Sequence, residues 1–98
     1  TKASGYASTT MGEGTEARKE GSTAIGKFNL TKDALFVIGN GNNDDPYNTK
    51  YSDAFKVSFN GDTTISGKKI NIKNIPTSGS GLSLGDIWND NGTLKIKQ

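Results

Sequence analysis

Large apolar side chains are sparse at the start of the chain, where Tyr6, Met11, Ile25 and Phe28 are the only ones in residues 1–28. From residue 34 they arrive in short, regular groups. Ala34-Leu35-Phe36-Val37-Ile38 is a continuous apolar run between Asp33 and Gly39, the pattern of a strand buried on both faces. In Ala54-Phe55-Lys56-Val57-Ser58-Phe59 the residues Phe55, Val57 and Phe59 alternate with Lys56 and Ser58, which predicts a strand with one buried and one wet face. The polar segment 40–53 between them is then the excursion of a long hairpin. Asn60-Gly61 predicts a tight turn into a strand over Thr63-Thr64-Ile65. Ile70, Ile72 and Ile75 alternate with Asn71 and Lys73 and predict one more half-buried strand. Pro76-Thr77-Ser78-Gly79-Ser80-Gly81 has linker composition. The last segment predicts a hairpin turning at Asn89-Asp90-Asn91-Gly92, with Leu94 and Ile96 on one face, covered by Ile87 and Trp88.

The polar start has its own pattern. Aligning 1–14 with 15–28 pairs Thr1 with Thr15, Ala3 with Ala17, Ser8 with Ser22, Thr9 with Thr23 and Gly12 with Gly26, and sets Met11 on Ile25. A 14-residue period is too short for the common helical repeats and suits a β-solenoid with two short strands and two turns per coil. Glu16-Ala17-Arg18-Lys19-Glu20 reads locally as helix, but so short a segment before Gly21 does not nucleate one in water. Four large apolar groups cannot offset backbone ordering at roughly 1–2 kcal/mol per residue. The repeat is therefore expected to be half a core, completed by three chains packed around a common axis, with Ala, Ser and Gly allowing close approach.

Ser22-Thr23-Ala24-Ile25-Gly26 resembles the YadA-like head repeat of trimeric autotransporter adhesins, whose units carry a Ser-x-Ala-Ile-Gly phrase. The first copy departs from it, with Thr10 for Ala and Met11 for Ile. The resemblance implies a left-handed parallel β-roll, trimeric and without catalysis of its own. Leu35-Phe36-Val37-Ile38-Gly39-Asn40-Gly41, Ser52-Asp53-Ala54-Phe55-Lys56-Val57 and Asn60-Gly61 are similar to segments that follow such repeats in bacteriophage tail-fibre and related virion fibre proteins. Pro76-Thr77-Ser78, Gly81-Leu82 and the run from Gly85 to Ile96 are similar to the C-terminal ends of those proteins. An autotransporter is expected to continue into a stalk and a membrane barrel with strands alternating for lipid, and Lys95-Ile96-Lys97-Gln98 is too polar for that. The virion reading is favoured.

Composition narrows the chemistry. The net charge is +2, and 12 basic residues interleave with 10 acidic ones, so no basic stripe for nucleic acid emerges. There is no cysteine and no histidine, which removes disulfides and the commonest general base and metal ligand. No apolar run reaches the roughly 20 residues of a membrane helix, and no signal peptide is visible; the start at Thr1 suggests a partial or processed chain. Asn40-Gly41-Asn42-Asn43-Asp44-Asp45-Pro46 lacks the ligand spacing of an EF-hand, and this loop, like Asn89-Asp90-Asn91-Gly92, reads as turn chemistry. Asp44 and Asp45 are adjacent and loop-borne, not a pair set across a substrate. Gly39-Asn40-Gly41 has no following Lys-Ser/Thr pair and is no phosphate cradle. No catalysis, metal or cofactor is expected.

Tyr47 and Tyr51, with Asn43, Asp44 and Asp45, form the candidate receptor contact, because tyrosines on a polar loop are good amphipathic contact residues. Met11, Ile25, Phe36, Ile38, Phe55, Val57, Phe59, Trp88, Leu94 and Ile96 are assigned to trimer or core packing. The expected molecule is all-β: a homotrimeric fibre with a short left-handed parallel β-roll (1–30), a β-hairpin region (31–75), and a linker with a small C-terminal hairpin (76–98). Its expected place is a phage tail fibre or comparable virion appendage. Its partners are its own copies, other virion proteins and a host glycan or protein receptor, without nucleic acid or membrane insertion. The competing roles are a bacterial adhesin head and a capsid head fibre or decoration protein.

Overall fold

The computed structural model describes residues 1–44 and 47–98, and among these the regular elements are nine strands and no helix. They fall in two compact units, Thr1–Lys68 and Lys69–Gln98. The first is a stack of parallel strands. β1 (Lys2–Ala3) pairs with β3 (Glu16–Ala17), and β2 (Thr9–Glu13) pairs with β4 (Thr23–Lys27), Thr9 lying opposite Thr23 and Gly12 opposite Gly26. The register offset equals the sequence repeat. Two of the identities in the repeat, the serines and the glycines, have a local cause. Ser8 Oγ donates to the Gly5 carbonyl and Ser22 Oγ to the Lys19 carbonyl, both at 2.6 Å, so the same corner is closed twice. Gly12 and Gly26 have φ of +113° and +94°, a region L side chains resist. A Cβ on Gly12 would also lie 2.0 Å from the Gly26 carbonyl oxygen.

The stack does not stop at the second copy. β5 (Phe36–Asn40) pairs in parallel with β4, placing Phe36 opposite Thr23, Ile38 opposite Ile25 and Gly39 opposite Gly26. Phe36-Val37-Ile38-Gly39 is thus a third copy of the strand, arriving after 13 residues instead of 14. Ala34 and Val37 are buried, Phe36 and Ile38 are half-buried and Leu35 is exposed. The expectation of a strand buried along its whole length on both faces therefore holds only in alternate positions, because one face of β5 looks into the stack and the other looks out.

Between the two walls the side chains are small. Ala17, Ala24, Ala34 and Val37 form the buried apolar cluster. Thr15, Ser22 and Asn29 are buried with them. Asn29 is wholly enclosed and behaves as a substitute strand partner: it accepts from the Glu16 N–H at 2.8 Å and donates to the carbonyls of Glu16 and Thr31 at 2.9 and 2.7 Å.

At β5 the pairing changes hand. β6 (Asp53–Val57) runs antiparallel to it, Phe36 opposite Val57 and Ile38 opposite Phe55, and β7 (Thr63–Ile65) runs antiparallel to β6. The sheet order is β2-β4-β5-β6-β7. This is the predicted long hairpin with its Asn60-Gly61 turn. An Asn42–Lys50 bridge narrows the excursion. Asp53 ties the hairpin back to the stack by accepting from the Leu30 N–H at 2.7 Å and the Thr31 hydroxyl at 2.6 Å. Phe59 lies beyond the end of β6 and is exposed, with Lys19 Nζ 5.3 Å from its ring centroid.

In the second unit β8 (Ile87–Asp90) and β9 (Thr93–Ile96) form an antiparallel hairpin, Ile87 opposite Ile96 and Trp88 opposite Lys95. Asn91 and Gly92 have φ of +53° and +95°, the twist-matched two-residue turn that Asn-Gly favours. Two expectations change here. Trp88 cannot cover Leu94 and Ile96, because its register partner Lys95 places it on the other face, where Gly79 packs against its ring. Residues 70–75 form no strand: Ile70, Ile72 and Ile75 gather beside Ile87 and Leu94 of the hairpin, the edge of β8 reaches the segment through the Asn89 N–H donating to the Pro76 carbonyl at 2.8 Å, and Pro76 lacks an N–H to extend a ladder.

Candidate interaction surfaces

Strand register determines what the first unit shows to its surroundings. Met11, Ile25, Ile38, Phe55 and Ile65 are directly paired neighbours across all five strands, and so share one face. Thr9, Thr23, Phe36, Val57 and Thr63 form a second row beside them. Ala24 and Val37, on the alternate positions, point to the buried interior. The chain has therefore placed its small side chains inside and its large ones outside, opposite to the usual sorting. The row spans four strand spacings, about 19 Å. Met11 is 61 % and Ile65 49 % exposed, while Ile25, Ile38 and Phe55 are half-buried. Phe36 and Phe55 meet edge to face at 6.3 Å. On the same face Glu13 and Lys27, 3.9 Å apart, form a charged rim.

The tyrosine loop is a second surface. Tyr51 stands edge to face on Phe28 at 6.1 Å, and Lys32 Nζ lies 4.3 Å from its ring centroid. Burial pushes the Lys32 ammonium below its ordinary value and the Arg18 charge acts the same way, against the pull of Glu16 and Asp53. Tyr47 is almost fully exposed, and Asn43 Oδ1 accepts from Thr49 Oγ1 at 2.7 Å. Asp44 is exposed, and Asp45 lies outside the described residues. Phe28 and Lys32, which complete the Tyr51 cluster, carry no mark in the sequence that would single them out. Among the described residues no group of three His, Cys, Asp or Glu side chains is gathered as for a metal.

The third surface belongs to the second unit. Ile70, Ile72, Ile75, Ile87 and Leu94 line an open apolar trough of about 360 Å³. Leu94 and Ile96, assigned to packing, are both more than half exposed.

No family model, curated protein or solved structure matches the chain.

Proposed function

We propose that this chain is a structural segment of a homotrimeric virion fibre, a tail fibre or comparable appendage, whose stacked strands form a short left-handed β-roll. The observation that carries the proposal is the outward apolar face of the five-stranded sheet, with Met11, Ile25, Ile38, Phe55 and Ile65 in one row. A contiguous apolar surface of this kind marks an interface. An interior filled by Ala, Ser, Thr, Asn29 and one Val leaves most of the chain's apolar potential on that face, so that face is covered by the same face of neighbouring copies. The role is binding and support, not catalysis, and other virion proteins and a host glycan or protein are its partners. Three tyrosine loops held by one rigid body convert a weak single contact into strong attachment.

Solution mass tests this directly. Light scattering after gel filtration, at several concentrations, is expected to give three chains; a folded species of 10.4 kDa would overturn it.

A further inference from the structure

Asn-Gly occurs three times in the chain, at 40–41, 60–61 and 91–92. It is the dipeptide that most readily closes on itself. The backbone nitrogen of the glycine, unshielded by a side chain, bonds to the asparagine Cγ; its proton leaves with the amide nitrogen as ammonia, and a succinimide ring is formed. Water then opens the ring at either carbonyl, leaving aspartate or isoaspartate. Ring closure needs a glycine N–H released from its acceptor, an amide free to turn, and room for the backbone to follow. The fold restrains the three pairs unequally.

Asn40-Gly41 is held by packing. Gly41 is buried, its N–H donates to the Lys27 carbonyl at 2.9 Å, and a Cβ there would lie 2.2 Å from the Lys50 carbonyl oxygen. Asn60-Gly61 is exposed but tied. The Gly61 N–H donates to the Ser58 carbonyl at 2.9 Å. The Asn60 amide accepts from the Ser58 hydroxyl and from the Asp62 N–H at 3.2 Å, and donates to Asp62 Oδ2 at 3.2 Å. Asn91-Gly92 differs. Both residues are exposed, nothing lies within 4 Å of a Cβ placed on Gly92, and among the described residues no hydrogen bond holds the Asn91 amide. One restraint is left: the Gly92 N–H donates to Asn89 Oδ1 at 2.7 Å. A side-chain acceptor leaves by rotation about its own bonds, whereas the carbonyls of Lys27 and Ser58 move only with their backbone.

We infer that Asn91 is a self-modifying position, converting through a succinimide to aspartate and isoaspartate, and that the Asn89 amide is the latch that sets its pace. Isoaspartate adds a methylene to the main chain inside the turn that places Ile87 opposite Ile96, and hairpin register follows turn type and loop length. Either product also sets a new carboxylate next to Asp90, which pairs with Lys95 at 2.5 Å. The conversion is a one-way opening of the terminal hairpin.

The full chain is incubated at mildly alkaline pH, where base removes the N–H proton more readily. Peptide mapping by mass spectrometry follows each pair separately, and enzymatic methylation marks isoaspartate. In the native chain Asn91 is expected to convert several-fold faster than Asn60, and Asn60 faster than Asn40; in urea the three should draw together. An order unchanged by urea, or Asn60 outrunning Asn91, would overturn the site. Asn89→Ala should quicken Asn91 several-fold and leave Asn60 unchanged, while Asn89→Asp, which keeps an acceptor at the same reach, should hold the native pace. Emission of Trp88, the single tryptophan, checks that the fresh variants keep the hairpin closed. Native pace in Asn89→Ala, or equal acceleration in both variants, would overturn the latch. Chains converted at Asn91 should show red-shifted Trp88 emission; unmoved emission would overturn the opening.

Discussion

Asn29 replaces a backbone partner with a side chain. Its amide satisfies one N–H and two carbonyls in the turn between β4 and β5, so Asn29→Ala strands polar groups inside the stack, each costing about 1–3 kcal/mol when left unpaired. Urea denaturation should show a loss of that size, and a change under 0.5 kcal/mol, the usual bound for a neutral surface substitution, would mean water replaces the amide at no cost. Gly26→Ala meets a harder obstacle: φ is +94° and the added Cβ would sit 2.4 Å from the Gly39 carbonyl oxygen. A loss of about 1–3 kcal/mol from the backbone conformation alone is expected, read as a fall in melting temperature. Glu16 brings a pH dependence. The hydrogen bond from Arg18 at 2.6 Å holds its carboxyl below the usual carboxylate value. A lowered folded-state value means the contribution is complete above the ordinary carboxylate range and is lost as pH falls from that range through the lowered folded-state value. The melting-temperature difference between the native chain and Arg18→Gln should accordingly shrink on acidification; a difference constant from pH 7 to pH 3 would exclude the pair as its source.

At the level of elements, β5 is the pivot, ending the parallel stack and opening the hairpin. Val37 is its one inward anchor and the largest of the buried apolar side chains. Val37→Ala should cost about 2 kcal/mol, from the lost methyl burial and the cavity left behind, measurable by chemical denaturation. The elements were legible where local pattern and final pairing agree: the repeat placed β1 to β4, alternation placed β6, and the Asn-Gly pairs at 60–61 and 91–92 placed both tight turns. The third copy was hidden for two reasons. Its spacing shrinks by one residue, and its large side chains disguise a strand whose inward positions resemble those before it; the shared Ile-Gly at 25–26 and 38–39 was the available signal. The alternation of Ile70, Ile72 and Ile75 failed as a strand signal because periodicity records a shared apolar side and not the presence of a hydrogen-bonded ladder. Trp88 was assigned by bulk when register decides its face. Asn29 and Lys32 could not be found, since their roles depend on neighbours that only the folded turns bring near.

For the whole molecule, the separation of a small-residue interior from a large-residue exterior predicts that association and protomer folding can be cut apart. Ile38→Lys puts a charge in the middle of the apolar row but does not enter the buried cluster. It is expected to reduce the mass by light scattering towards 10.4 kDa while far-ultraviolet circular dichroism keeps its strand signal; loss of both together would mean the protomer does not hold its fold alone. The parallel offsets of 14 and 13 residues carry a last implication, in time instead of energy. Closing spans of that length carries a loop-closure entropy that grows only slowly with length and does not depend on chain concentration. Encounter between protomers slows in proportion to dilution, whereas zipping within a protomer does not. Refolding of the proposed fibre should therefore split into a rapid phase indifferent to concentration and a slower one that quickens as chains are added, the order in which a cell would see the chain close and then assemble.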